Sequence, residues 1–397
     1  MSTTAPKREP LPLSADNHRW LTTELREWER EGLISSDTAG AITDRYTVSD
    51  SPAHRITAVR VILGLGASFL GIGLIWLVAA NLDQLSPLLR FVVVTVLWIG
   101  LAVAAELTRD LVSAALKLLS ALAFGAVVFQ AAQSLQVPAY RPVLLLAWGL
   151  GALLYAYART SRAAGFVGIT VLAAWYVWQA MDAAGGVVTF TGAILLLSVA
   201  AVAIAALHPP EWRAFGRLWL ALGAIMSLVG LFTAALPQAT GENLWSGGLT
   251  AGLILVIGLA AAALWRSGRD EQVELAIAGA GLLFGVVFSL WRPISSGSGM
   301  LPSDFTALMW VRTGLAIVAF LLVAGAWAIV GARRQLAMIS AAAVVAVVIF
   351  TTFQSFAVFA PIISGATLFL AVGAVMILTG IVAERARRRI GSEVASS

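Results

Sequence analysis

Residues 112–138 read VSAALKLLSALAFGAVVFQAAQSLQVP, and Lys117 is their one charged residue. At about 1.5 Å of rise per residue, a helix through this run crosses the ~30 Å hydrocarbon core of a bilayer. Runs of the same kind recur along the whole chain. Of its 397 residues 59% are hydrophobic and 12% charged, with mean hydropathy +0.89; soluble domains carry about 25% charged residues. Such a deficit, repeated in apolar blocks, makes lipid the solvent. The runs are continuous and lack the alternation of a membrane barrel. Unpaired backbone groups are too costly in hydrocarbon for open strands, so helices remain.

Apolar runs bounded by charge, Pro or Gly predict twelve spans, at 57–80, 88–107, 112–137, 142–159, 163–183, 186–207, 217–237, 247–265, 273–291, 310–332, 335–353 and 361–383. The expected fold is all-α, a polytopic transmembrane helical bundle over 57–383 with a small N-terminal cytosolic helical hairpin. An even count puts both termini on one side. All of the 26 Lys and Arg residues except Arg90, Arg141, Arg292 and Arg312 fall on that side. By the positive-inside rule both termini are expected in the cytoplasm. The sequence pI near 10.1 then reports topology and attraction to anionic headgroups rather than nucleic-acid binding, for which no basic–aromatic module exists. The N-terminal stretch MSTTAPKREPLPLSADNHRW has no apolar h-region and is not expected to be a cleaved signal peptide. There is no cysteine, which excludes disulfides and thiolate chemistry.

Ahead of the spans, residues 1–13 are Pro-rich and expected to be disordered. Residues 14–56 predict a helical hairpin and linker. Ser14 or Asp16 caps a helix ending at Gly32, and Ser35 or Ser36 caps a second. The apolar residues of this head are Leu21, Leu25, Trp28, Leu33, Ile34 and Ile42. About 35 residues cannot hold a core alone, so this face is expected to dock on the bundle, on a second copy or on a protein partner. Residues 384–397 form a basic cytosolic tail.

The segment REWEREGLISSDTAGAI, followed by apolar spans and by LSALAFGAVVFQAAQSLQV, resembles the bacterial membrane proteins grouped as domain of unknown function 2157. The resemblance covers roughly the first 180 residues and rests on Trp28, Gly32, Leu33, Ile34, Ile42, Gly125 and the glutamines. It implies a head-plus-bundle plan in a bacterial inner membrane and assigns no chemistry.

No nucleophile–base constellation, P-loop or metal-binding spacing can be assembled. His18, His54 and His208 lie far apart in polar segments. The chain is therefore expected not to be an enzyme and to need no cofactor or metal. Glu106, Asp182 and Glu384 sit at span ends, so no carboxylate relay is expected in the membrane interior. The polar residues that remain suggest a pocket in the outer half. Gln130 and Gln133 share a helix face with Ala123 and Ala126, while Trp175, Trp178, Gln179 and Asp182 fall within about 100° of arc. Arg141, Arg292 and Arg312 mark the outer span ends, where they either pair with nearby acids or converge on an anion. The amides have a second reading, as glue between helices. The function expected from these residues is binding or transport of an anionic or amphipathic small molecule, a lipid included, in the outer half of the bundle. The alternative is a structural or regulatory membrane component whose head docks a cytosolic partner.

Overall fold

A computed structural model describes residues 11–13, 15–48, 86–182, 185–236, 245–291 and 306–359, with single positions near 62–73 and 373–377. The chain divides into two compact units, Met1–Leu70 and Gly71–Ser397.

The first unit holds β1 (Leu11–Leu13), α1 (Ala15–Arg30), α2 (Ser36–Thr43) and β2 (Tyr46–Val48). Gly32 ends the α1 turn with φ +71°, and the Leu33 amide returns to the Trp28 carbonyl at 2.9 Å. That is the left-handed closure glycine favours. Ser35 caps α2 by accepting from the Thr38 amide. The expectation of a disordered tail over 1–13 is corrected at its end. Leu11–Leu13 pair in parallel with Tyr46–Val48, Leu11 opposite Tyr46, so two short strands join a head expected to be purely helical. Leu25 is buried; Leu21, Ile34 and Ile42 are half-buried; Trp28 and Leu33 are exposed.

The second unit is a helical bundle: α3 (Pro87–Leu107), α4 (Asp110–Ser134), α5 (Val143–Ala158), α6 (Arg162–Asp182), α7 (Val187–Leu207), α8 (Arg213–Ala235), α9 (Gly247–Arg266), α10 (Arg269–Leu290), α11 (Ala307–Arg333) and α12 (Ala337–Phe359). Among the described residues nine helices are long and apolar enough to cross a membrane, and α5 is a shorter apolar helix of 16 residues. These ten match ten of the twelve expected spans. The expected spans at 57–80 and 361–383 lie outside the described residues.

Short loops make consecutive helices run in alternate directions, and cross-contacts fix which ends meet. Arg159 after α5 bonds Glu106 at the end of α3. The Ser267 hydroxyl after α9 reaches the Ala206 carbonyl in α7. Arg334 after α11 pairs with Glu271 at the start of α10. This end also holds Arg109, Arg162, Arg213, Arg217, Arg266, Arg269 and Arg333, and is called the arginine-rich end below.

α7 is apolar on every side and is the most buried of the described spans, 67% of its span window against 11% for α3. A helix without a polar face belongs in the middle of a bundle. Its Val199, Val202 and Ala203 pack with Leu220, Ala224 and Leu228 of α8 in the principal core. Between α4, α5 and α6, approach depends on glycine. A Cβ at Gly125 would collide with the Trp148 ring, and one at Gly168 would lie 2.8 Å from the Leu153 amide nitrogen. Trp148 lies across α4 there and donates from Nε1 to the Ala121 carbonyl at 2.8 Å. Small residues admit such contacts where no hydrophobic drive separates helix from lipid.

The three glutamines of the opening stretch end in three environments. Gln130 is buried and Gln133 is exposed. Gln136 turns the chain with φ +57°, letting the Val137 amide close on the Ala132 carbonyl at 2.8 Å.

Candidate functional site

The residues expected to form an outer pocket are not brought together as one. In α6, Ala173 and Ala180 are buried and Tyr176 is half-buried, whereas Trp178, Gln179 and Asp182 are exposed and Trp175 is half-exposed. On a helix of 3.6 residues per turn the polar arc points roughly 140° away from the packed side. α4 and α6 are neighbours, but Gln130 faces into the protein and Gln179 faces out of it. Arg141 is exposed, and Arg292 lies outside the described residues.

Arg312 is 2% exposed, and its guanidinium is occupied. Nε and Nη2 donate to the Phe288 carbonyl at 3.2 and 2.7 Å, Nη2 to the Ala234 carbonyl at 3.1 Å, and Nη1 to the Leu236 carbonyl at 3.3 Å. Gln354 Nε2 donates to the Ala235 carbonyl between them at 3.3 Å. The last carbonyls of a helix have no partner inside it and carry the negative end of its dipole. Arg312 and Gln354 thus close the ends of α8 and α10. This differs from both expectations for Arg312, an acid partner or an open anion-binding fork.

An open cleft of about 300 Å³ lies instead at the arginine-rich end, lined by Tyr157, Ile204, Leu207, His208, Pro209 and Trp212. α7 stops because Pro209 and Pro210 cannot continue it. His208 caps it, with Nδ1 2.7 Å from the Ile204 carbonyl. A carbonyl only accepts, so Nδ1 carries the hydrogen and Nε2 is the acceptor. Tyr157 therefore donates its hydroxyl hydrogen to Nε2, at 2.6 Å. Trp219 Nε1 donates to the same Tyr157 oxygen at 3.3 Å. Tyr157 also stacks on Phe215 with centroids 4.5 Å apart and leans on Trp212 at 4.8 Å. The result is an apolar, aromatic cleft with one polarised hydrogen-bond relay in its wall. Arg213, the residue after Trp212, is exposed at the start of α8.

Among the described residues two ion-pair groups stand at this end. Arg159 takes Glu106 with two donors, Nε at 2.8 Å and Nη2, and Lys117 Nζ stands 3.7 Å from the same carboxylate. The hydrogen bond to Glu106 holds the Arg159 guanidinium above its usual range. Arg334 bridges Glu271 at 3.1 Å and Glu274 at 2.9 Å. Burial works against the Arg334 charge, and the two carboxylates outweigh it and raise its pKa. Among the described residues no group of three or more His, Asp or Glu is placed to hold a metal.

Tyr157, His208 and Trp212 were not expected in a site. A signal existed in the aromatic residues clustered around the basic loops at 159–162 and 209–213. Glu274 was missed because it lies near the start of an expected span; it is 3% exposed, buried in the protein beside Arg334 at that end.

Residues 26–165 match the family model of DUF2157, described as a predicted membrane protein. The matched segment runs from within α1 to the first turn of α6 and contains Trp28, Gly32, Leu33, Ile34, Ile42, Gly125 and the glutamines, the residues that carried the resemblance. It holds Tyr157 and the Glu106–Arg159 pair, but not His208, Arg312 or Glu274. Neither the curated proteins nor the solved structures compared contain a match to the chain.

Proposed function

We propose that this membrane protein is non-catalytic and binds an anionic amphiphile of the phospholipid class at the Tyr157–His208–Trp212 cleft. The observation that carries this reading is an open apolar cleft placed where Arg162, Arg213 and Arg217 are exposed. Apolar walls suit an acyl chain, and guanidinium forks suit a phosphate. Juxtamembrane arginines attract anionic headgroups at about 1 kcal/mol each. The reading keeps the ligand class expected from sequence and moves its site to the opposite end of the bundle, because Arg312 is committed to carbonyls and the α6 arc faces away.

Its orientation belongs to the same proposal, with the arginine-rich end and both termini in the cytoplasm of a bacterial inner membrane. Single cysteines at Ser267 and Ser296 test this in intact cells with an impermeant thiol reagent. Labelling of S296C alone is expected, and labelling of S267C alone reverses the orientation.

The binding itself is tested with photoreactive phosphatidylglycerol and phosphatidylcholine in nanodiscs holding the full-length chain. Crosslinks to Tyr157 or Trp212 from the anionic probe, reduced by W212A, are the expected result. Equal crosslinking from the zwitterionic probe removes the anionic specificity, and no crosslink from either removes the site.

A second reading, of a regulatory component whose head docks a cytosolic partner, is favoured by the exposure of Trp20, Trp28 and Leu33 in the first unit. Exposed tryptophans on a soluble head mark an interaction surface.

A further inference from the structure

His208 joins two structures at once. Its Nδ1 donates to the Ile204 carbonyl at 2.7 Å and closes the end of α7, while its Nε2 accepts the Tyr157 hydroxyl hydrogen at 2.6 Å. Trp219 Nε1 donates to the same Tyr157 oxygen at 3.3 Å. α8 presses on the base of the ring, since a Cβ at Gly216 would lie 3.3 Å from His208 Cβ. His208 and Tyr157 both line the open cleft.

The two ring nitrogens answer a proton differently. Nδ1 carries a hydrogen in the neutral ring here and in the cation alike, so the cap on α7 survives protonation. Nε2 changes from acceptor to donor. The Tyr157 oxygen then accepts from Nε2 on one side and from Trp219 on the other, and its own hydrogen leaves the relay for an acceptor in the cleft. One proton thus places a positive charge in the cleft wall and frees a hydroxyl donor beside it. Both changes favour an anion rich in oxygen acceptors, and neither helps an apolar occupant.

The other charged groups lie on the elements around His208. Glu106 occupies Arg159 after α5 and has Lys117 beside it, and Glu271 and Glu274 hold Arg334. Arg162 opens α6, Arg213 and Arg217 lie on α8, and Arg266 and Arg269 flank the loop between α9 and α10, against Glu211 and Asp270. Cations outnumber acids among these last residues, and a proton on His208 adds to their excess. Histidine is the side chain that ordinarily titrates between about pH 5 and 8, whereas a guanidinium stays charged throughout.

We infer that His208 and Tyr157 set the ligand selectivity of this cleft, which takes up an anionic lipid phosphate together with one proton; this rests on the reading of the cleft as an anionic-lipid site. Hydronium gives its proton to Nε2 and leaves water. The Tyr157 hydrogen stays on its oxygen and rotates from Nε2 to a phosphate oxygen. Binding and protonation favour each other, so affinity is highest where His208 is charged and falls as the pH rises through its titration.

The test uses the full-length chain in phosphatidylcholine nanodiscs with a trace of photoreactive phosphatidylglycerol. Bilayer charge then stays constant, and the phosphodiester remains an anion throughout. Crosslinking at Trp212 is expected to rise about tenfold from about pH 8 to about pH 5. H208Q is expected to abolish the rise, and Y157F to keep part of it, because the charge remains and the hydroxyl is gone. Nitrogen NMR reads the relay without the ligand. The chain has three histidines, so H18Q/H54Q leaves His208 as the single ring in the spectrum. A hydrogen on Nδ1 and a bare Nε2 are expected at about pH 8, and hydrogens on both at about pH 5. Crosslinking that ignores pH, or that rises equally in H208Q, overturns the proton coupling and leaves the lipid site standing. A hydrogen on Nε2 at the higher pH, or a bare Nε2 at both, overturns it as well. No crosslinking at any pH removes the site and the coupling together. The wild-type profile and the spectrum decide the matter if H208Q does not fold.

Discussion

Arg159 and Arg312 sit at opposite ends of the bundle and meet their charge in opposite ways. Arg159 is exposed, lies in the loop after α5, and takes a carboxylate, Glu106, with two donors. Arg312 is buried a turn inside α11 and takes four bonds to three backbone carbonyls. Water screens the Arg159–Glu106 pair, so this acid and base can part at little cost. At the other end the guanidinium is shielded from water, and the dipoles of two helix ends do the work of a counter-charge. A positive-inside count treats all arginines alike; the surroundings give them different tasks.

The contrast breaks most visibly at Arg312. Arg312→Ala leaves the Phe288, Ala234 and Leu236 carbonyls without their donor and is expected to destabilise the bundle by about 3 kcal/mol or more. Arg312→Lys keeps the charge without the planar fork and should fall between alanine and wild type. Chemical unfolding in detergent micelles measures both, and a wild-type midpoint for the alanine variant would show that other groups serve these carbonyls.

Gly125 sharpens the comparison by moving it from charge to shape. Gly125→Leu forces the Trp148 ring off α4 and breaks its bond to Ala121, at a cost of about 1–3 kcal/mol. Gly100→Leu, on a side of α3 where no described residue stands within 4 Å, should be silent in the same assay. Equal effects would mean that the glycine contacts do not set the α4–α5 distance.

The smallest effect belongs to Arg159. Arg159→Gln should leave the midpoint unchanged at high salt and lower it slightly at low salt, because screening already weakens an exposed pair. A loss that persists in high salt would make the Glu106 pair a structural element like the Arg312 cap.

Element positions were legible because membrane helices announce themselves by unbroken apolar length, and ten described helices fall where the runs predict them. The arc of Trp175, Trp178, Gln179 and Asp182 was also legible as an arc. Its direction was not, since periodicity says which residues share a side and not what that side meets. Ala173 and Ala180 carried the missing information, because small residues mark the packed side of a membrane helix. Arg312 could not have been read at all. Its acceptors lie on α8 and α10, brought to it only by tertiary packing, and backbone carbonyls leave no trace in residue types. Glu274 was hidden by the rule that places a charge near a span boundary in water. The two three-residue strands of the head were hidden by length: LPL and YTV are too short to show alternation.

The cap at the ends of α8 and α10 also orders events during synthesis. Both helices leave the ribosome before Arg312, and Gln354 follows later still. Until those side chains arrive, the Ala234, Ala235, Leu236 and Phe288 carbonyls have to be held by water or by the insertion machinery, which keeps that edge of the young bundle near the membrane surface. A nascent chain stalled after α10 would therefore carry an unfinished seam. The carbonyl seam is finished only when Arg312 and then Gln354 arrive, each carried in on its own helix.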